Sequence, residues 1–489
     1  MPDTRPLHHG ATVVLDAVPR LEVAHFRQAM TDSVESGARL VSLFGQPLDG
    51  EHWSLMGLLA HPSSGQLSIA STHVGGTYPA LTPECPQAHW FEREIAEQWG
   101  VRPDGHPWLK PVRFTKSPVG VTEFFRVEGD EVHEVAVGPV HAGIIEPGHF
   151  RFQCHGERVL HLEISLGYQH RGVERALVGG PDKRTIHYVE TLAGDTTIGH
   201  VMAYCHAVES LARCDVPLRA QMLRGIALEL ERLANHTGDL GALANDVGFL
   251  PTASYCGRLR GEWLNLTALL CGSRFGRGMV RPGGVAFDLD DARREELLRR
   301  LDTATEEVTS AVDLLWSTPS VMARFEETGA LSREVCEALG LVGVAARACG
   351  LDRDARFEFP SGVFRFFQVP VSTWHSGDVF ARARVRWMEV QRSIGFIRTQ
   401  VQHLADGPIR AVTGALAPES LVASLVEGWR GEICHVAVTD AHGRFARYQV
   451  VDPSSHNWSG LAMALRGQPI SDFPLCNKSF NLSYCGHDL

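Results

Sequence analysis

The stretch Ala383–Leu404, ARVRWMEVQRSIGFIRTQVQHL, decides how the larger part of this chain folds. Its apolar residues Ala383, Trp387, Val390, Ile394, Ile397, Val401 and Leu404 follow one another at spacings of 4, 3, 4, 3, 4 and 3. Such a seam lines one face of an α-helix and must be buried against neighbouring helices. A second seam, Leu297, Leu301, Ala304, Val308, Ala311 and Leu315, has the same character. A third helix is expected after Asp215-Val216-Pro217, with the proline early in its first turn, running to about Asn235. Together they predict a helix bundle.

On both sides of these helices the period changes. Phe150–Leu166 alternates apolar and polar residues around Gly156-Glu157, which predicts a β-hairpin. From Gly431 onward the segments ICHVAVTD and RYQVVD are strand-like. Upstream, residues 11–125 mix short apolar runs (ATVVLDAV, WSLMGLLAH, GQLSIAST) with a helix-like stretch at Leu21–Val34. A second helical stretch, Phe91–Trp99, ends at Gly100, a suitable C-cap. The charged segment EGDEVHEV (128–135) leads to a new start at Gly138-Pro139. The expected fold is therefore α+β. A small N-terminal α/β domain (1–127) precedes a domain (138–489) with a central helix bundle and peripheral β-hairpins.

Composition narrows the function classes. With 44% hydrophobic and 21% charged residues in 489, the chain is neither disordered nor of low complexity. Its net charge of −11, from 46 basic against 57 acidic residues, argues against a nucleic-acid-binding surface. No window approaches the ~18 uninterrupted apolar residues of a membrane span. The candidate Leu339–Leu351 carries Arg347 in its middle. The opening MPDTRPLHHG has no apolar core of a secretory signal, so a soluble, cytosolic chain is expected. The 11 cysteines include no C-x-x-C pair, and the closest lie nine residues apart, so no metal site is expected within the chain. A nucleotide loop is also missing, because neither a G-x-G-x-x-G nor a Walker string occurs.

Several strings nevertheless carry a family likeness. Trp90-Phe91-Glu92-Arg93-Glu94 with Gly105-His106-Pro107 resembles the small hydrophilic subunit of respiratory complex I. The remainder, from Gly138, resembles the quinone-site subunit of complex I and the large subunits of membrane-bound nickel–iron hydrogenases. The matching strings are Glu146-Pro147-Gly148-His149, Gly167-Tyr168-Gln169-His170-Arg171-Gly172, Glu231-Arg232-Leu233-Ala234-Asn235-His236, Arg281-Pro282-Gly283-Gly284, Gly377-Asp378-Val379, Arg430-Gly431-Glu432 and Asp452-Pro453-Ser454. The fusion of both parts is similar to the large subunit of formate hydrogenlyase-type complexes.

This resemblance implies a peripheral subunit on the cytoplasmic side of the cell membrane, partnered by a small iron–sulfur subunit and a membrane subunit of a proton-channel module. It also implies a site where electrons from the partner's cluster meet a proton-coupled acceptor. The four thiolates of the hydrogenase centre would fall on Ala193, Thr196, Ser483 and Gly486, none of them cysteine, with Cys485 one position off. Soft nickel and iron need thiolate, so nickel–iron is not expected. Quinone stays as a candidate acceptor. Its usual tyrosine falls at Gly194, while His141 and His149 stand in the region of its histidine. The cluster-side histidine of the family is replaced in Gly272-Ser273-Arg274-Phe275-Gly276. The resemblance assigns proton transfer to Glu146, places Arg430 over the old metal position and faces His170 toward the partner's cluster. Asp195 and Thr196 would build a polar cavity, or else cap the helix expected from Ile198. Two readings follow: an oxidoreductase subunit serving a quinone or another small acceptor, or a structural subunit that couples its partners.

Overall fold

The computed structural model describes residues 4–143 and 145–489. Five long helices form the bundle: Thr197–Leu211, Leu218–Asp246, Leu250–Cys271, Asp291–Trp316 and Val379–Gln402. Every residue of the two apolar seams is buried. Asp378 and Asp290 cap their helices by accepting from the amides of Ala381 and Arg293 at 2.7 and 2.8 Å. The helix Leu218–Asp246 is the axis of the bundle, buried over most of its length between its two neighbours.

Two expectations about that axis need correction. Pro217 sits at the N-cap with extended backbone rather than inside the first turn, and the helix continues past Asn235 to Asp246. Glycines at 238 and 241 suggest a weak helix there, but they serve close packing. A Cβ at Gly241 would lie 2.7 Å from the Cβ of Cys256 on the adjacent helix Leu250–Cys271. That neighbouring helix is buried along one face, with Cys256, Leu259, Trp263, Leu266 and Leu270 at helical spacing, while Leu250 and Tyr255 on its open side blur the stripe in the sequence.

Helices Val23–Glu35 and His89–Trp99 form as expected, the second ended by Gly100 at φ 76°. They pack on a sheet in which Arg5–Leu7, Gln66–Val74, Trp53–His61 and Arg39–Pro47 are antiparallel neighbours, with Arg20–Leu21 pairing in parallel. The predicted hairpin is His149–His155 with Arg158–Ser165. The charged segment read as a connection supplies a third strand to it, Val132–Val137.

A four-stranded sheet ties the ends of the chain together, in the order Phe445–Val451, Glu432–Thr439, Ser420–Glu427 and Thr12–Val14. Successive side chains of a strand point to opposite faces. Leu421, Ala423, Leu425, Cys434, Val436 and Val438 therefore join the core of the N-terminal part, while Val422, Val426, Ile433 and Ala437 join the bundle core. One sheet is the partition between two cores. Its loop Gly428-Trp429-Arg430-Gly431 emerges at the N-terminus of the helix Thr197–Leu211, which positions the site described next.

Candidate functional site

Residues 193–196 precede the helix Thr197–Leu211, and the chain's last turn, Ser483–His487, lies against them. Arg430 joins the two. Its guanidinium grips Asp195 through two bonds of 2.5 and 2.9 Å and donates to the carbonyl of Asn481 at 2.5 Å. A third contact reaches Thr196 Oγ1 at 3.3 Å, and the guanidinium stacks 3.9 Å from the centre of the Trp429 ring. The Trp429 indole donates to Thr196 Oγ1 and to the Asp195 carbonyl. Burial alone would lower the pKa of Arg430, but the Asp195 charge and bonds outweigh it and hold the cation in place.

Beside this pair lies a cavity of about 330 Å³, lined among others by Glu146, Asp195, Arg430, Lys478 and Tyr484. Glu146 enters from the loop before the hairpin and accepts from the Tyr484 amide at 3.0 Å. The Asp195 side chain keeps 32% of its surface exposed, so one carboxylate of a strong ion pair still meets the cavity. Cys485 stands within reach of Glu146 and Ser483, and burial together with the Glu146 charge pushes its thiol up to about 12.

The other three residues assigned from the sequence lie elsewhere. His141 Nε2 is 2.9 Å from the Gly148 carbonyl, and His149 Nδ1 is 3.4 Å from the carbonyl of Gly138. Both rings are engaged with the loop that presents Glu146 and neither lines its cavity. His170 belongs to a separate cavity with Arg113, Glu174 and Leu489, where burial and the Arg113 charge lower its pKa. The site thus unites Glu146, Asp195, Thr196 and Arg430 and leaves out His141, His149 and His170.

Two functional-type groups escaped sequence reasoning. Thr196 stands at the N-cap of its helix, but no side chain of the 195–197 string caps it. Glu231, from the helix Leu218–Asp246, accepts from the amides of Ile198 and Gly199 at 2.7 and 3.1 Å instead. Burial pushes its carboxyl up to about 8 against the pull of those amides, and Asp195 adds to the rise. The second group is a buried line. Asp452 Oδ2 lies 3.1 Å from His200 Nε2, His200 Nδ1 lies 3.1 Å from His435 Nε2, and His435 Nδ1 lies 2.9 Å from the Tyr448 hydroxyl. The line begins at position 486, where a Cβ would stand 2.6 Å from Asp452 Cγ.

That contact bears on nickel–iron. The donor positions carry a methyl (Ala193), two hydroxyls (Thr196, Ser483) and no side chain (Gly486), and Asp452 fills the space a side chain at 486 would need. The Ser483 hydroxyl already accepts from the Gly486 amide at 2.9 Å. Among the described residues no three His, Cys, Asp or Glu side chains converge as metal ligands. These residues do not fit the centre.

The architecture is thus a helix bundle behind a small α/β part. Family models agree. Residues 47–120 match the 30 Kd subunit of respiratory-chain NADH dehydrogenase, and residues 246–419 match its 49 Kd subunit. Among curated relatives, formate hydrogenlyase subunit 5 of Escherichia coli is 30% identical over 435 residues, covering 83% of this chain and 76% of that protein. The carbon monoxide-induced hydrogenase of Rhodospirillum rubrum is 32% identical, over 71% of this chain and 97% of its own length. An NADH-quinone oxidoreductase subunit of Solibacter usitatus is 30% identical, over 65% of this chain and 86% of its own. The chain belongs to the family that unites complex I-type 49 Kd subunits with hydrogenase subunits of the formate hydrogenlyase kind, and it carries the 30 Kd-type part in front.

Proposed function

We propose that this chain is the acceptor-site subunit of a membrane-attached, complex I-like oxidoreductase that works without a nickel–iron centre. No helix among the described residues is long and apolar enough to cross a membrane, so attachment rests on a partner membrane subunit of the proton-channel module. A small iron–sulfur subunit supplies the electrons. The acceptor, a quinone or another small molecule, takes up two electrons from that partner's cluster and two protons in the cavity beside Glu146.

One observation supports this reading: the Glu146 carboxyl, the Lys478 cation and the Arg430–Asp195 ion pair converge on one cavity. Its volume suits the head group of a small acceptor, since ligand sites start at roughly 300 Å³. Tyr484 offers a phenol from the C-terminal turn, whereas position 194 is glycine. Burial pushes that phenol up to about 12, which keeps it a proton-bearing donor. Glu146 is the group placed to hand a proton to a reduced acceptor, and Lys478 and Arg430 would steady the negative charge that builds during reduction.

The loss of the family's tyrosine favours a second reading, a structural subunit that couples its partners. Turnover separates the two. In the intact complex, reduced donor should drive reduction of a short-chain quinone analogue. Glu146→Gln, which keeps the bond from Tyr484, should lower that rate by about 10²-fold, the scale of a positioned proton donor. Normal assembly with unchanged turnover would leave the coupling role.

A further inference from the structure

The largest cavity on this face of the molecule, about 580 Å³, is not the one beside Glu146. It opens where the helix His89–Trp99 of the N-terminal part meets the hairpin strand Arg158–Ser165 and the helix Pro453–Ala464. Trp90, Trp108, Phe125 and Trp458 wall it; Arg93, stacked 4.4 Å from the centre of the Trp90 ring, and Arg466 bring positive charge, and the lining's carboxylate, Glu163, is neutralised by Lys110 at 2.7 Å. The Trp458 ring meets Tyr484 edge-on at 4.9 Å, so the two cavities stand on opposite sides of that pair.

Arg93 is the informative residue. It is buried, with 6% of its surface exposed, yet among the described residues its side-chain bonds go only to carbonyls, those of Lys110 and Pro111 at 2.8 and 2.9 Å. The carboxylates that act on it from farther away are committed elsewhere. Glu163 is held by Lys110 at 2.7 Å and by the Phe125 amide, and Glu97 by the amides of Val112, Arg113 and Thr115. A buried guanidinium without its own anion is costly. Burial accordingly lowers its pKa to about 10. The indole N–H groups of Trp90 and Trp458 are also buried and find no acceptor among the described residues. Buried indole donors normally find one.

We infer that this cavity binds a planar aromatic carboxylate, its ring between the tryptophans and its anionic end on Arg93. The aromatic walls supply stacking area and the guanidinium a fork that matches a carboxylate. Arg466, exposed at the rim without an ion-pair partner among the described residues, would attract the anion on entry. Nothing in the acceptor chemistry proposed above uses these residues, so this site stands or falls separately.

Calorimetric titration of the purified complex with 2-naphthoate tests it, with 2-naphthamide as the neutral isostere. Saturable binding of naphthoate is expected, weakened about tenfold or more by Arg93→Gln, as for a lost charge-assisted pair. Naphthamide binding should change far less in that variant, and Trp108→Ala should weaken both probes. Should Arg93→Gln fail to fold, Arg466→Gln at the exposed rim must show the same preference for the charged probe. The inference is overturned if naphthoate gives no saturable heat at millimolar concentration, if the arginine variants weaken both probes equally, or if Trp108→Ala leaves both unchanged.

Discussion

Two clusters of charge meet at the C-terminal end of the strand Ser420–Glu427, and they are built differently. In the inner one Arg232, Arg347 and Arg356 interlock with Glu229, Asp354, Glu389 and Glu427, all buried. Each group there has several partners. Arg347 alone holds Glu389 at 2.6 Å and Glu427 at 2.7 Å. Three guanidinium groups against four carboxylates leave one negative charge in excess, and burial, opposed by Arg347, pushes the Glu427 carboxyl up to about 7. At the cavity, by contrast, among the described residues Glu146 accepts from one backbone amide with the Cys485 thiol beside it, Asp195 holds one cation, and Asp195 stays partly open. The first arrangement fixes the fold. The second leaves groups free to change partner or proton, which is what acceptor chemistry requires.

Breaking one member of each cluster should therefore give opposite phenotypes. The largest effect on folding is expected for Arg347→Met, which removes the guanidinium paired with Glu427 and leaves Glu389 to Arg232 and His236. Loss of one partner from a buried ion cluster costs about 3–5 kcal/mol. Chemical denaturation should show that loss, or the variant should fail to assemble. Glu146→Gln should leave the denaturation midpoint unchanged while turnover falls, and a matching fall in stability would erase the contrast drawn here.

Gly486→Ala probes the boundary between the two behaviours. The added methyl must displace the Asp452 carboxylate, an overpacking that costs about 1–3 kcal/mol. Urea denaturation should register it. A neutral outcome would mean that position 486 has room for a side chain and that Asp452 does not fill it.

A further effect concerns pH. The folded-state pKa of Glu231, about 8, lies above that of an unfolded glutamate, so the folded state binds the extra proton in between. Stability from this group is intact below the unfolded pKa and falls as pH rises toward 8. The slope is at most about 1.4 kcal/mol per pH unit. Glu231→Gln should flatten that part of the profile, and an unaltered profile would remove Glu231 from the titrating groups.

The sequence was most readable where one face repeats. The seam at 383–404 and the run 297–315 alternate at helical spacing because each buries a single side, and the hairpin at 150–166 alternates because strands do. Ser420–Glu427 was not readable: it is buried on both faces, so its SLVASLVE shows no clean alternation, and its N-terminal partner Thr12–Val14 is hundreds of residues away. The site divides the same way. Glu146, Asp195, Thr196 and Arg430 could be found from strings that resemble a family. Glu231 capping Ile198, and Asp452 reaching His200 and His435, depend on contacts between distant segments that no local spacing encodes.

The central claim, which rests on the proposed function, is that acceptor chemistry takes place in the cavity lined by Glu146, Asp195, Arg430 and Ser483, without a nickel–iron centre. Elemental analysis of the active complex after chelation tests it most directly. The account predicts far less than one nickel per chain, with iron accounted for by the partner's clusters, in a preparation that still reduces its acceptor. Stoichiometric nickel that survives chelation and tracks activity would contradict it.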